Sequence, residues 1–218
     1  IHHIVADSMG IHLLYKRLCE IYGAFVNGQD VPEPKLPSQQ IIITADQEYR
    51  GGSDFTCDHL YWKNKLKNLP GPLPLYGEVN NNDIKRSHRA EFPLDTGLYD
   101  KLHELVSSPR YSCQTENITL FNLLLTAYAV FLYRITRRTN FLIGVPHQNR
   151  RGLLRATPGL TTQQVPVMIT INCDESFYSL YKKIKNESEE TAHHSRYPVP
   201  NPRNQVYNIV FNFHNRQY

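Results

Sequence analysis

The first ten residues read IHHIVADSMG, with the histidines His2 and His3 five and four positions ahead of Asp7. Imidazole titrates near pH 6.5, so one such ring can accept and return a proton at neutral pH. General-base chemistry therefore suits this spacing best, alongside a plain structural role for the pair. On a strand the two rings would point to opposite faces, one toward a site and one inward. The same divergence makes them poor joint ligands of one ion. The other histidines that might complete a metal set, His147 and the pair His193 and His194, show no supporting spacing, so no metal is expected. No serine or cysteine follows in a nucleophile elbow, which argues against a covalent acyl-enzyme triad.

The elements that would position these residues read as follows. IHHIV is expected as a strand end, and Asp7 or Ser8 as the cap of a helix. Ile11, Leu14, Leu18, Ile21, Tyr22 and Phe25 recur at steps of three and four and predict an apolar helix face, ended by Gly28. DVPEPKLPSQQ is a loop. Residues 54–69 predict a helix capped by Asp54, with Phe55, Leu60, Trp62, Leu66 and Leu69 mostly on one side. The Pro-, Gly- and Asn-rich stretch 71–88 divides the chain into a part at 1–70 and a part at 89–218.

Beyond it, HRAEFPL predicts a strand and residues 96–108 a helix capped by Asp95. Residues 118–138 predict a long helix, apolar nearly all round and so central to a core. FLIGVP and VPVMITI predict buried strands, SFYSLYKKIKNESEETAHH an amphipathic helix, and VYNIVFNF an alternating strand. Interleaved helices and strands place the chain in the α/β or α+β class.

Composition excludes little and adds nothing exotic. The 218 residues carry a net charge of +4 and are 40% hydrophobic. The arginines between 134 and 155 are split by an apolar run without base-stacking aromatics, so no nucleic acid is expected. Cys19, Cys57, Cys113 and Cys173 are scattered, which suits a reducing, cytoplasmic compartment. No signal peptide or membrane span is read, and no membrane partner is expected.

The segment HHIVADSMGIHLLYKRLCEIY resembles the HHxxxDG motif and following helix of the condensation domains of non-ribosomal peptide synthetases. HHxxxD alone is shared with other acyltransferases, but later segments narrow it. CDHLYWKNKLKNLPGPLPL is similar to the family's YWkeqL…p.LeLP. The long helix runs into IGVPHQNR, which is similar to IGtPvanR and carries Gly144, Pro146, Asn149 and Arg150 in register. GLTTQQVPVMITI sits where the family has GfFvNtLplRv, in a style closer to starter-type domains. AHHSRYPVP sits at HqdvPfe, and VYNIVFNFHN is similar to fqvmfvlqN. The matches keep the family's order over nearly the whole chain.

The resemblance implies two chloramphenicol-acetyltransferase-like lobes, with residues 1–70 ending one and 89–218 beginning the other. It implies amide formation between phosphopantetheine-tethered substrates. The partners would be acyl or peptidyl carrier domains and a neighbouring adenylation domain, all part of a larger polypeptide. It makes His3 the catalytic residue, as base toward the acceptor amine or as its hydrogen-bonding anchor. His2, Asp7, Ser8, Asn149 and Arg150 become structural residues of the site. Asp7 is expected to pair with an arginine from upstream of this chain.

The resemblance further implies that the chain is the middle of a domain, inactive by itself. Ser8 replaces the motif's glycine, so the turn is expected to shift or Ser8 to cap the helix. Gln163 replaces an asparagine and Met168 an arginine, and only the histidine survives of the polar residues in HqdvPfe. These departures keep open a degenerate carrier-docking module, and an ester-forming or epimerisation-type relative is the other alternative.

Overall fold

The computed structural model describes residues 2–3, 5–31, 33, 36–75, 88–200 and 206–214. Most of the 71–88 stretch, namely 76–87, lies outside the described residues. The elements run α1 (Ser8–Val26), α2 (Gln40–Gly51), α3 (Ser53–Lys65), α4 (Thr96–Ser107), α5 (Glu116–Thr136), β1 (Asn140–His147), a 3-10 turn (Gly152–Arg155), β2 (Gln163–Thr170) and α6 (Phe177–His193). This is the mixed helix-and-sheet class the sequence predicts. Packing gathers them into two compact units, each built from separated segments. Unit 1 comprises Ile1–Asn68, Pro146–Val165 and Ala192–Pro200; unit 2 comprises Leu69–Val145, Pro166–Thr191 and Asn201–Tyr218.

Unit 2 is organised by α5. The Thr115 hydroxyl caps it by accepting from the Ile118 N–H, and Arg137, in the left-handed region at φ 57°, ends it. Leu125, Ala129 and Leu132 form one stripe against Phe141, Ile143 and Val145 of β1, Val167 and Ile169 of β2, and Leu180 and Ile184 of α6. The helix has the length and apolarity of a membrane span, yet seven of its residues are buried in protein, as in a core helix.

β1 and β2 are hydrogen-bonded neighbours. The expected strand VYNIVFNF reduces to one parallel bridge: the Gly144 N–H donates to Ile209 O at 2.8 Å and the Phe211 N–H to Gly144 O at 2.9 Å. Gly144 is glycine because a Cβ there would stand 2.2 Å from the Tyr207 ring. HRAEFPL forms no strand, for it has no ladder partner among the described residues, and Phe92 stands exposed. Asp95 caps α4 as predicted, accepting from the Leu98 N–H at 2.9 Å.

Unit 1 departs further from expectation. Where the IHHIV strand is expected, His3 and Val5 stand in a turn instead, with the Val5 N–H on His2 O at 3.0 Å; Ile1 and Ile4 lie outside the described residues. The apolar face predicted for α1 is largely uncovered, with Leu18, Tyr22 and Phe25 at 60%, 67% and 78% exposure. The buried residues of α1 are Gly10 and Ala24, and it is the backbone of Gly159 that packs on Gly10 in the first turn. A Cβ on Gly10 would meet Gly159 O at 2.7 Å.

Helix α2 has no counterpart in the sequence reading, since its IIIT run is β-branched and a poor helix former. Tertiary contacts hold it: it packs on α3 and on the 3-10 turn. Helix α3 starts at Gly52 rather than on a side-chain cap, with Asp54 inside its first turn, where its charge suits the helix dipole. It buries Asp58 and Trp62, and of the predicted apolar side Leu60 alone is exposed, at 51%.

Leu125 is fully buried at the centre of the unit 2 core. Leu125→Ala should lower the unfolding free energy by about 2–5 kcal/mol. In urea denaturation the midpoint should drop with the slope unchanged.

Candidate active site

Asp7 closes the HHxxxD segment and caps α1. Its Oδ1 accepts from the Gly10 N–H at 2.8 Å and from Arg150 Nη2 at 2.7 Å. Its Oδ2 accepts from the Thr161 N–H and the Thr162 hydroxyl, both at 3.0 Å. The Thr161 hydroxyl is 3.2 Å from the same oxygen, but its proton is better placed on the Gln148 carbonyl at 2.6 Å. The Asp7 N–H completes the junction by donating to Gly159 O at 3.2 Å.

Arg150 is the other half of the junction. Its Nη1 donates to Leu154 O and Thr157 O, each at 2.7 Å, and Nη2 also donates to Gly159 O at 2.8 Å. The guanidinium thus gathers the carbonyls of the loop that follows β1. The two charged side chains are 2% and 3% exposed. Asp7 therefore does not await a partner from outside the chain, as the sequence reading had it: the arginine of IGVPHQNR supplies the charge. A buried ion is tolerated when a partner charge and hydrogen bonds replace its hydration; here the bonds run through Nη1 and Nη2, while the buried Nε has no partner among the described residues.

Local backbone geometry aims this arginine. Asn149 lies in the left-handed region at φ 48°, an uncommon place for a residue with a side chain. Its amide is locked to Ser195: Nδ2 donates to Ser195 O at 2.9 Å, and the Ser195 hydroxyl donates to Oδ1 at 2.7 Å. Gly159 accepts the approach of α1 on one side and of Ile42 on the other, where a Cβ would stand 2.3 Å from the isoleucine methyl.

Burial pushes the Asp7 pKa up, but the hydrogen bonds from Gly10, Thr161 and Arg150 and the guanidinium charge outweigh it, leaving it lowered from 3.8 to about 2. His147, two residues past Val145, is depressed from 6.5 to about 4 by burial. Its Nε2 is inaccessible and has no hydrogen-bond partner among the described residues. The ring is therefore neutral across the physiological range.

His2 and His3 are both exposed at the turn that leads into α1, so the opposed-face picture drawn for a strand does not hold. Ser8 opens α1 and is exposed; the cap is Asp7. Among the described residues, Arg137 and Asn149 are the non-glycine positions with positive φ, so Ser8 meets no conformational strain from replacing glycine. Met168 lies on β2 in unit 2, where its N–H donates to Glu187 at 2.9 Å. His194 is engaged elsewhere in unit 1. Its Nδ1 is 2.7 Å from Asp58 Oδ1, and the Tyr49 hydroxyl donates to Asp58 Oδ2 at 2.5 Å. Tyr61 stacks on the His194 ring at 3.8 Å.

Sequence reasoning missed Thr161, Thr162 and Gly159. The available signal was the buried carboxylate itself, which demands more donors than one arginine can bring.

Comparison with known proteins gives a consistent set of likenesses. The family model for the condensation domain matches residues 1–215. The chain is 24% identical over 200 residues to the dimodular nonribosomal peptide synthase of Bacillus subtilis (strain 168), covering 90% of the chain and 8% of that protein. It is 29% identical over 202 residues to the chondramide synthase cmdD of Chondromyces crocatus, covering 91% and 5%.

Among solved structures, the first condensation domain of the calcium-dependent antibiotic synthetase in complex with a substrate analogue superposes with a TM-score of 0.71 at 24% identity, covering 90% of this chain and 42% of that one. The starter condensation domain of the rhizomide synthetase RzmA gives 0.72 at 20% identity, covering 96% and 46%. The chain thus spans less than a tenth of these curated relatives and under half of these solved chains.

Asp7→Asn keeps the shape of the junction and removes its anion. With Arg150 left buried and unpaired, stability should fall by about 3–5 kcal/mol in chemical denaturation. The lowered Asp7 pKa contributes stability that is complete above pH 3.8 and lost as pH falls toward 2, about 2 kcal/mol in all.

His147 acts in a separate window. Below pH 6.5 the unfolded chain binds a proton that the folded chain refuses, so stability should decline by up to about 3 kcal/mol as pH drops from 6.5 to 4. His147→Val should flatten the pH dependence in that window and leave the acid limb below it in place, as read from melting temperature against pH.

Proposed function

The chain belongs to the condensation-domain family, and from that premise we propose that it forms part of an enzyme joining two carrier-bound substrates through an amide bond. The observation that carries this reading is an accessible base beside a rigid anchor. Asp7 is fixed by Arg150, Gly10 and the Thr161–Thr162 backbone and hydroxyl. His3, four residues earlier, is exposed.

In this reaction the acceptor amine attacks the carbonyl carbon of the donor thioester. The C–N bond forms, the tetrahedral intermediate collapses, and the C–S bond breaks. The nitrogen gives up a proton and the departing sulfur takes one. His3 serves that transfer, either by carrying the proton or by holding the amine on line for attack. An α-amine with a pKa of about 8 is partly free at neutral pH, so positioning alone contributes substantially. His2 shapes the turn through its carbonyl, which accepts from the Val5 N–H. Asp7, Asn149 and Arg150 keep that turn in place without touching substrate.

The substrates arrive on the phosphopantetheine arms of carrier domains, next to an adenylation domain in the same larger cytoplasmic polypeptide. In the full-length parent supplied with loaded carriers, His3→Ala should reduce amide formation by about 100-fold or more. Product formed at the original rate would remove His3 from the chemistry. Residues 1–218 alone should give no turnover, and amide product from them would overturn that part of the reading.

A further inference from the structure

One cavity of unit 1 takes no part in the chemistry above. It has a volume of about 430 Å³ and lies between α2 and the loop following β1. Pockets of this size hold small ligands, and a six-carbon chain fits easily. Ile42, Ile43, Leu154 and Leu160 give it an apolar lining. Its charged residues are Asp46, Arg50 and Arg196, a net excess of one cation.

The three charges are not equivalent. Arg50 Nε donates to Asp46 at 2.7 Å, so these two offset each other. Among the described residues, no carboxylate pairs with Arg196. It donates one N–H to the Ala45 carbonyl at 2.9 Å and lies over the Tyr49 ring at 4.2 Å. A guanidinium has five N–H groups arranged as a fork that matches a carboxylate. Stacking and the single carbonyl bond hold the fork in place and leave most of it unused. Gln163 adds an amide to the same lining.

Two departures from the family pattern converge here. Placing Pro198 on the proline of HqdvPfe puts Arg196 where that pattern has an acidic residue, and Gln163 stands where it has asparagine. The charge at one wall of the cavity is therefore reversed in this chain.

We infer that this cavity is a subsite for a carboxylate at the end of a short aliphatic chain, borne by a carrier-bound substrate. The carrier-borne origin rests on the proposed function; the preference for a carboxylate does not. The thioester end stays with the carrier, and the second, free carboxylate pairs with Arg196 above the isoleucine and leucine side chains.

The test is binding to residues 1–218, followed by methyl chemical shifts of Ile42, Ile43 and Leu154. The probes are the mono-N-acetylcysteamine thioester of adipic acid, the corresponding hexanoyl thioester, and free hexanoate. The adipoyl probe should bind at least about tenfold more tightly than the hexanoyl probe, the scale of one charge-assisted pair. Arg196→Ala should erase that preference and Arg196→Lys should keep part of it. Equal affinity for the two thioesters in the unaltered chain overturns the inference, whether or not the variants fold. A preference that survives in Arg196→Ala does the same. Binding of hexanoate with no binding of the adipoyl thioester overturns the carrier-borne origin. The readout needs no turnover, so a failed condensation assay leaves it standing.

Discussion

Two full charges, Asp7 and Arg150, lie 143 positions apart in sequence and nearly out of reach of solvent. Removing ions of this kind from water costs several kcal/mol each, and attraction alone seldom returns it. What makes the pair tolerable is the supply of secondary partners. The carboxylate has donors from the first turn of α1 and from Thr161 and Thr162. The guanidinium has three carbonyls from the loop after β1. The pair thereby fixes the start of α1, the conformation of residues 150–162 and the turn that carries both histidines.

The elements legible in the sequence were those whose burial follows from their own periodicity. The stripe of α5, the apolar run of β1 and the Asp95 cap of α4 needed no partner to be named. The family signature was legible too, because its residues recur in order from His2 to Asn215. Three things were not. Helix α2 carries Ile41, Ile42 and Ile43 in sequence, and only packing on α3 and on the 3-10 turn settles their conformation. Where a strand was foreseen at IHHIV, His3 and Val5 have no ladder partner among the described residues and stand in a turn. The partner of Asp7 was sought outside the chain because sequence spacing carries no information about a contact across 143 residues.

Small residues matter as much as charged ones here. Gly10 and Gly159 let two backbones meet, so the Asp7 N–H reaches a carbonyl that side chains would hold away. Asn149 takes up a left-handed conformation that its amide, clasped by Ser195, stabilises. That clasp links the arginine's loop to the segment after α6, which also supplies Arg196 and His194. One short stretch, 192–200, therefore supports the anchor, closes the Asp58 cluster and contributes the cation of the cavity.

The interleaving of the two units has a consequence for synthesis. A ribosome adds on the order of 10 residues per second, so Asp7 emerges on the order of ten seconds before the arginine that neutralises it. During that interval the growing N-terminal segment holds a hydrated aspartate, and Ser195, the clasp for Asn149, comes later still. Unit 1 therefore cannot close co-translationally from its N-terminal residues alone. Its completion waits until most of unit 2 has been made, so the two units become complete within a short stretch of chain of each other rather than one well before the other.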